Sequence, residues 1–311
     1  MIGELIATRD AFGTALNEFA KDNKDVVVLD ADLAKATMSC RFKDAYPERF
    51  FDMGISEGDL VGTAAGLATT GKIPFACTFA MFAAGRAFEQ IRNTVAYSRL
   101  NVKICGSHGG VAVGKDGASH QCIEDLAIMA AIPGMVVINP GDAVEMRGAV
   151  RAAMDYNGPV YIRLGRNPVP VVFDENSYTF EIGKGIKVRE GSDITFVANG
   201  SLLDVAMKGA DILAKEGISA EIIDIATIKP LDKDLIIESA KKTGKVLTLE
   251  EGVIQGGLGS AVAQALSVSC PVPMRYIGMD NCFGQSGDAA DLMKYYGMSP
   301  ENVVAKAKEL I

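Results

Sequence analysis

Residues 50–82 read FFDMGISEGDLVGTAAGLATTGKIPFACTFAMF. A short apolar run ends at Gly54, and Glu57 then opens a stretch of small residues that is typical of a closely packed helix. A second apolar run carries Phe79 and Phe82, three residues apart. On its own, Glu57 could be a carboxylate in the first turn of a helix, where the helix dipole favours a negative charge. The two aromatic residues alone could belong to the hydrophobic core. Together they predict an acid and an aromatic wall that face one ligand.

The chain around this stretch alternates between strand-like and helix-like patterns. Apolar runs bounded by turn residues predict strands, and apolar residues at helical spacing predict the helices between them. Such alternation indicates a mostly parallel sheet that is covered by helices on both faces. The clearest predicted elements are the helix 11–20, the strands 25–29, 73–80 and 101–105, and the helix 86–97.

The alternation is interrupted once and then resumes. The segment 167–170 contains two prolines and residues 174–178 are polar, so the pattern breaks there. A second alternating block starts at Ile194 and continues to a helix that opens at Ser299-Pro300-Glu301. We therefore predict an α/β fold with two doubly wound domains, residues 1–172 with a mainly parallel sheet and a smaller domain of residues 191–311, joined by the linker 173–190.

Composition excludes several classes of protein. The 311 residues are 49% hydrophobic and 23% charged with a formal net charge of −8, and basic residues are not clustered, so binding to nucleic acid or anionic membranes is not expected. The N-terminus lacks a secretory signal pattern, and no apolar run reaches membrane-spanning length. The six cysteines form no C-x-x-C pair, which argues against a zinc site and a disulfide framework. We expect a cytoplasmic protein with small-molecule or protein partners.

The second informative stretch follows a predicted strand and reads GSHGGVAVGKDGASH over residues 106–120. It contains both histidines of the chain, His108 and His120, in a glycine-rich loop, which favours a polar substrate site over a structural role. Metal ligation is not favoured because the spacing lacks a cysteine partner or a His-x-x-x-His pair. Gly109 to Lys115 nearly matches a phosphate-binding loop, but Asp116 stands where that motif needs Ser or Thr.

Other motifs are weaker. Gly256-Gly257-x-Gly259 resembles part of a dinucleotide fingerprint but lacks the third glycine, and we interpret it as a helix start. Arg9 and Arg166 lie at element edges where a guanidinium could hold an oxyanion, although surface arginines are common. Asp30 and Asp32 end a predicted strand, on the side where parallel sheets bind ligands.

In this order, the motifs of the chain resemble the C-terminal half of transketolase, the thiamine-diphosphate enzyme that moves two-carbon ketol units between sugar phosphates. The similarity covers nearly the whole chain and is strongest at residues 31–34, 54–57, 77–82, 106–108 and 116–120. It implies a pyrimidine-binding domain followed by a transketolase C-terminal domain. The Gly-Asp-Gly signature of the diphosphate-binding domain is absent, so the resemblance implies one subunit of a split transketolase.

The resemblance also implies roles for individual residues. Glu57 matches the glutamate that hydrogen-bonds the aminopyrimidine ring of the cofactor and promotes its reactive tautomer. Phe79 and Phe82 match the aromatic pocket of that ring, and Asp32 matches an aspartate near the cofactor. The implied substrate residues are His108, Asp116 and His120 for the donor sugar, with His120 also catalytic, and Arg9 and Arg166 for the sugar phosphate.

The implied partners follow from the same resemblance. An N-terminal transketolase subunit would bind the diphosphate together with Mg²⁺ or Ca²⁺, and this chain would bind no metal itself. The chain would also pair with itself as the homodimeric core, and it should be inactive alone. Two alternatives remain open, namely the β subunit of a 2-oxoacid dehydrogenase and a non-catalytic regulatory subunit of the same fold.

Two departures from the family pattern bear on acceptor preference. Lys115 stands where many members carry Glu. Ala36 occupies the place of a phosphate-binding Ser, for which Thr37 or Ser39 could substitute.

Overall fold

The computed structural model describes residues 2–311 and has the alternating architecture that the sequence predicts. Its strands are β1 (Leu5–Ala7), β2 (Val26–Asp30), β3 (Phe50–Asp52), β4 (Ile73–Phe79), β5 (Lys103–Ser107), β6 (Val136–Ile138), β7 (Val160–Leu164), β8 (Pro168–Pro170), β9 (Ile186–Arg189), β10 (Ile194–Ala198), β11 (Ala220–Asp224), β12 (Thr227–Lys229), β13 (Val246–Val253) and β14 (Met274–Met279). Its α-helices are α1 (Thr8–Phe19), α2 (Ala34–Thr37), α3 (Cys40–Ala45), α4 (Glu57–Thr69), α5 (Asp125–Ala131), α6 (Ala143–Asp155), α7 (Leu202–Lys215), α8 (Lys233–Thr243), α9 (Leu258–Ser269), α10 (Ala289–Tyr295) and α11 (Pro300–Lys308).

The larger sheet has seven strands in the order β12-β6-β7-β5-β4-β2-β3. Its strands are mutually parallel except β12, which pairs antiparallel with β6. The central strands are buried along their whole length, as expected for a parallel sheet with helices on both faces. Helices α1 and α6 contribute to the core on one face, and α4 and α5 contribute to the core on the other.

The smaller sheet has five strands in the order β14-β13-β10-β11-β9, with β9 antiparallel at one edge. Helices α7 and α11 pack on one face, and α8 and α9 pack on the other. A separate two-stranded pair joins β1 to β8. The α/β fold with two mainly parallel, doubly covered sheets is therefore confirmed.

Strand β12 belongs to the second half of the chain but completes the first sheet. Thr227 lies opposite Ile138 of β6, and the neighbouring Ile228 is buried in the core of the larger sheet. The predicted domain boundaries stay a prediction, and β12 is an element that crosses between the two halves.

Several elements differ from the sequence prediction. The predicted helix 86–97 is π-helical over Gln90–Tyr97, and a second π-helical piece, Phe82–Arg86, precedes it. The short helices α2 and α3, the strands β1, β8, β9 and β12, and α10 were not predicted, because elements of three to seven residues show too little periodicity. Within residues 2–311, no helix combines the length and the apolar composition that crossing a membrane requires.

A cluster of buried acids lies where α6 meets the second half of the chain. Asp142 caps α6 by accepting from the backbone N–H of Glu145, and the carboxylate of Glu145 accepts from the Tyr178 hydroxyl at 2.6 Å. Asp224, at the end of β11, is 1% exposed. Its pKa is raised well above the ordinary value by burial and by the neighbouring charge of Glu145.

This cluster predicts a pH-dependent stability. Because the pKa of Asp224 is higher in the folded than in the unfolded chain, the folded state binds more protons, and its stability falls as the pH rises above about 4. We expect Asp224→Asn to melt at a higher temperature than the wild type, with a difference that grows between pH 5 and pH 9. Thermal denaturation over that range measures it.

The control for this experiment is Asp193→Asn. Asp193 is at the surface, and its pKa is lowered because it accepts a hydrogen bond from the backbone N–H of Ser219. This variant should not gain stability at high pH. If the melting temperatures of the wild type and Asp224→Asn changed in parallel with pH, the pH dependence could not be assigned to Asp224.

Candidate functional site

Glu57 is the first residue of α4, directly after the turn that follows β3. Its side chain is almost fully buried, with 4% of its surface exposed. A carboxylate in the first turn of a helix is stabilised by the helix dipole, which offsets part of the cost of burial. The carboxylate faces a cation, because Nη1 of Arg86 lies 3.0 Å from Oε1 of Glu57.

The aromatic wall predicted from residues 79 and 82 is present. Phe79 ends β4, Phe82 opens the following π-helical turn, and their ring centroids are 5.6 Å apart with an interplanar angle of 27°. The ring of His108 stacks on the other side of Phe79 at 4.2 Å and 28°. The three rings therefore form one stacked column.

Arg86 is a site residue that the sequence reasoning missed. Its guanidinium carbon lies 4.1 Å from the centroid of Phe82 while Nη1 donates to Glu57. A planar group with N–H donors is thus held between the carboxylate and the aromatic ring. The sequence gives one indication of this role, because Arg86 follows Phe82 by four residues, about one helical turn, which places both side chains on the same face.

A cavity of about 390 Å³ lies against Phe82 and Arg86. It is also lined by Ser119 from the histidine-containing loop, by Glu124 and by Phe283 from the second half of the chain. This volume is in the range of cavities that hold small molecules.

We call residues 107–120 the histidine loop. It leaves the end of β5, and its second residue, His108, has a φ of 61°, a left-handed conformation that costs free energy and is concentrated at functional sites. Nδ1 of His108 lies 2.8 Å from the Ser107 hydroxyl, and Nε2 lies 3.5 Å from Nη1 of Arg9. Because a guanidinium only donates, the Nε2 lone pair faces it and the proton is placed on Nδ1.

His108 stays neutral in this environment. Its pKa is lowered to about 3 by burial and by the positive charges of Arg9 and Arg166, with a further contribution from His120. A neutral imidazole between two guanidinium groups can hydrogen-bond a sugar hydroxyl across the physiological pH range.

His120 also contacts the aromatic wall. It meets Phe82 edge-on at 5.3 Å and Phe79 at 6.3 Å between ring centroids. Its Nδ1 is 3.0 Å from the Ser119 hydroxyl. The structure thus brings both histidines to the two phenylalanines.

The two predicted arginines lie beside the histidine loop. Arg9 donates from Nη1 to the carbonyl of Ala36 at 3.0 Å, while its Nε is buried without a hydrogen-bond partner. Arg166 donates to the carbonyl of Val113 and lies 3.5 Å from Oδ2 of Asp116. Both guanidinium groups lower the pKa of His108, and a pair of positive charges near one loop favours binding of an anion there.

Asp32 follows the end of β2, and its role near the cofactor stays a prediction. It is exposed in a left-handed conformation with a φ of 60°, and its backbone N–H donates to Asp52. The buried acid at this strand end is Asp30, which accepts from Thr37 at 2.7 Å and from Ser39 at 2.8 Å. Both hydroxyl residues are fully buried and bound to Asp30, so they are not presented to a phosphate.

Two other sequence motifs are occupied by internal contacts. The N-terminus of α9, in the glycine-rich 256–259 segment, is capped by Glu250, whose carboxylate accepts from the backbone N–H groups of Leu258 and Gly259 at 2.8 Å each. The segment is therefore a helix start, as predicted. Lys115 forms an exposed ion pair with Asp288 at 3.1 Å. No group of three or more His, Cys, Asp or Glu residues with metal-binding geometry occurs between residues 2 and 311.

Chemically, the site combines a buried acid, an aromatic surface, a neutral imidazole and an anion-binding pair of arginines. The acid and the aromatic surface can bind a planar heterocycle that carries hydrogen-bonding nitrogens. The imidazoles and arginines can bind a phosphorylated polyol next to it. The arrangement suits a two-part ligand set of one ring cofactor and one sugar phosphate.

Comparison with known proteins agrees with this description. Residues 4–171 match the family model of the transketolase pyrimidine-binding domain, and residues 183–303 match that of the transketolase C-terminal domain. A protein described as a transketolase C-terminal section from Methanocaldococcus jannaschii is 46% identical over 97% of this chain and 95% of its own length. A 6-deoxy-6-sulfo-D-fructose transketolase subunit from a Clostridium species is 41% identical over 97% of this chain and 94% of its own length.

A solved structure shares the whole architecture. It is a split-gene transketolase in the form of an inactive β4 tetramer, is 50% identical, and superposes with a TM-score of 0.92 over 98% of both chains. With both domain models matched and relatives similar along nearly their entire length, the chain belongs to the transketolase family, as a protein of the split, C-terminal type.

Proposed function

We propose that this chain is the C-terminal subunit of a thiamine-diphosphate-dependent transketolase that transfers two-carbon ketol units from a ketose phosphate to an aldose phosphate, as in the pentose phosphate pathway. The observation that carries the proposal is the column of Phe82, Phe79 and His108, which joins the ring-binding wall to the histidine loop in one continuous surface. A cofactor ring and a sugar would therefore be held side by side.

The residues present fit the aminopyrimidine end of the cofactor. Phe82 already carries a planar, donor-bearing group on its face, and the same group bonds Glu57. When bound, thiamine diphosphate supplies the nucleophilic carbon and the electron sink for carbon–carbon bond cleavage. Glu57 would hold and exchange a proton with the ring, while Phe79 and Phe82 exclude water and fix the ring plane. Arg86 would have to leave the face of Phe82 for the ring to stack there.

The sugar phosphate would be held by the second half of the site. His108 and His120 would hydrogen-bond hydroxyl groups, with His120 close enough to the aromatic wall to move a proton at the donor sugar. Asp116 would contact the donor, and Arg9 and Arg166 would bind the phosphate. The unpartnered Nε of Arg9 supports this role, since an anion would supply its missing acceptor.

The partner is inferred from the split relatives. We propose an N-terminal subunit that binds the diphosphate and Mg²⁺ or Ca²⁺, assembled on a homodimeric core of this chain, in the cytoplasm. The six cysteines are free, which is compatible with the proposed cytoplasmic location. The ring-binding and sugar-binding halves of the site are compatible with a partner that binds the diphosphate.

The test is reconstitution of the complex with thiamine diphosphate and Mg²⁺. The N-terminal subunit is taken from an adjacent gene or from a protein that co-purifies with this chain. Xylulose 5-phosphate, 6-deoxy-6-sulfo-D-fructose and pyruvate are then compared as donors, with ribose 5-phosphate as the acceptor for the sugars. Turnover of a ketose donor supports the proposal. Turnover of pyruvate alone would identify a 2-oxoacid dehydrogenase β subunit instead, and no turnover of any donor would favour a regulatory subunit.

A further inference from the structure

The histidine loop is held from beneath by the second half of the chain. Glu251 of β13 is 6% exposed, and its Oε1 accepts from the backbone N–H of Ala112 at 2.8 Å. Its Oε2 accepts from the Ser201 hydroxyl at 2.6 Å. The carboxylate therefore bridges the loop and the start of α7, and both of its oxygens have partners.

The loop sequence is adapted to this contact. Gly110 has a φ of 84°, and a Cβ at this position would lie 2.1 Å from Oε1 of Glu251. Only glycine permits both the backbone conformation and the close approach of the carboxylate. The absence of a side chain at Gly110 thus leaves room for the Glu251 carboxylate against the loop.

The turn that Glu251 holds is connected directly to the substrate side. Ala112 and Val113 lie in a buried 3₁₀ turn, whose carbonyl groups accept from Asn167 and Arg166 respectively. A shift of this turn would therefore move the guanidinium of Arg166. The side-chain hydrogen bonds of Glu251 go to Ala112 and Ser201 and to neither histidine, so its hold on the histidines acts through the loop.

A second contact holds the far end of the loop. The side chain of Gln121, 3% exposed, donates to the carbonyl groups of Val111, Gly114 and Gln285 at 3.1, 3.3 and 2.9 Å. Gln285 belongs to the segment between β14 and α10, so a second segment of the C-terminal half is tied to the loop.

We infer that Glu251 is a positioning residue that sets the position of the histidine loop, and through it the phosphate-binding Arg166, from outside the site. The inference rests on the proposed function for its kinetic consequence, but the loop contact can be tested without turnover. It assigns the C-terminal half of the chain a part in substrate binding, although the residues proposed to contact the sugar are all in the first half.

The experiment compares Glu251→Ala, Glu251→Gln and Glu250→Ala. Glutamine keeps an oxygen that can accept from Ala112. Glu250 is the matched control, because it is an adjacent buried carboxylate that accepts two backbone N–H groups but caps α9 instead of the loop. Hydrogen exchange of the full chain reports on the loop, and steady-state kinetics of the two-subunit complex with xylulose 5-phosphate report on substrate binding.

We expect Glu251→Ala to raise amide exchange in residues 110–114 about tenfold and to raise KM for the donor about tenfold, with kcat lowered much less. Glu251→Gln should restore both values to within about threefold of the wild type. Glu250→Ala should raise exchange at residues 258–259 and leave KM unchanged.

Unchanged exchange in residues 110–114 of Glu251→Ala would overturn the inference, as would a KM effect of the same size in Glu250→Ala. If Glu251→Ala does not fold, Ser201→Ala is the second variant. It removes one hydrogen bond to the Glu251 carboxylate at a half-buried position, and we expect it to raise amide exchange in residues 110–114 as well. If the wild-type complex turned over none of the donors, the proposed function would be contradicted. The hydrogen-exchange results would still decide whether Glu251 holds the loop.

Discussion

Glu57→Gln in the reconstituted complex is expected to lower kcat about 10³-fold while leaving assembly unchanged. Glutamine has nearly the shape of glutamate and preserves the packing of this buried position, but it cannot exchange a proton with the cofactor ring. A positioned acid or base contributes about 10²–10⁴-fold to such a step. Turnover with xylulose 5-phosphate, together with size-exclusion chromatography of the complex, measures both parts of the prediction.

Asp59→Asn is the control for that variant. Asp59 lies in the same first turn of α4 and carries the same charge, but it is exposed. The control should keep wild-type turnover. If Glu57→Gln retained activity within twofold of the wild type, Glu57 would have no part in the chemistry and the cofactor assignment would be lost.

The largest effect on stability is expected from Asp125→Ala. Asp125 and Arg163 form a fully buried ion pair at 2.8 Å, and the other carboxylate oxygen accepts from the Tyr161 hydroxyl at 2.7 Å. Removing the acid leaves a buried guanidinium without the carboxylate that it hydrogen-bonds, which costs about 3–5 kcal/mol. Urea denaturation at fixed protein concentration should show a correspondingly lower free energy of unfolding.

Two comparisons sharpen this result. Asp155→Ala removes an exposed ion pair with Arg151 of similar length, 2.8 Å, and should cost less than about 1 kcal/mol. The double variant Asp125→Leu, Arg163→Met should recover most of the loss, because neither charge of the pair is then left without its partner. Equal losses in Asp125→Ala and Asp155→Ala would show that burial does not govern the strength of this pair.

Much of the fold could be predicted from local pattern. Strands such as β2 and β4 are short buried apolar runs, and their predicted bounds lie within one residue of those observed. The prediction failed where the information is not local. Strand β12 has three residues and forms only because β6 offers a free edge, and the two π-helical pieces differ from an α-helix in a hydrogen-bond spacing that composition does not encode.

The site was predictable to a similar extent. The family resemblance implied that Glu57, the aromatic pair and the histidine loop belong to one site, and strand ends of a parallel sheet do meet at one edge. It could not show that Asp30, two residues before Asp32, is the buried acid. Nor could it identify Arg86 or Glu251, whose roles depend on a side chain that reaches across from another element.

Strand β12 has a consequence for how the protein can be divided and made. A fragment that ends in the linker region would leave β6 as an open edge with unpaired backbone groups, a surface prone to pairing with other chains. During synthesis, the first sheet cannot be closed until residue 229 has left the ribosome, after β10 and β11 have been made. The first sheet therefore has all seven of its strands only in a chain that extends through β12.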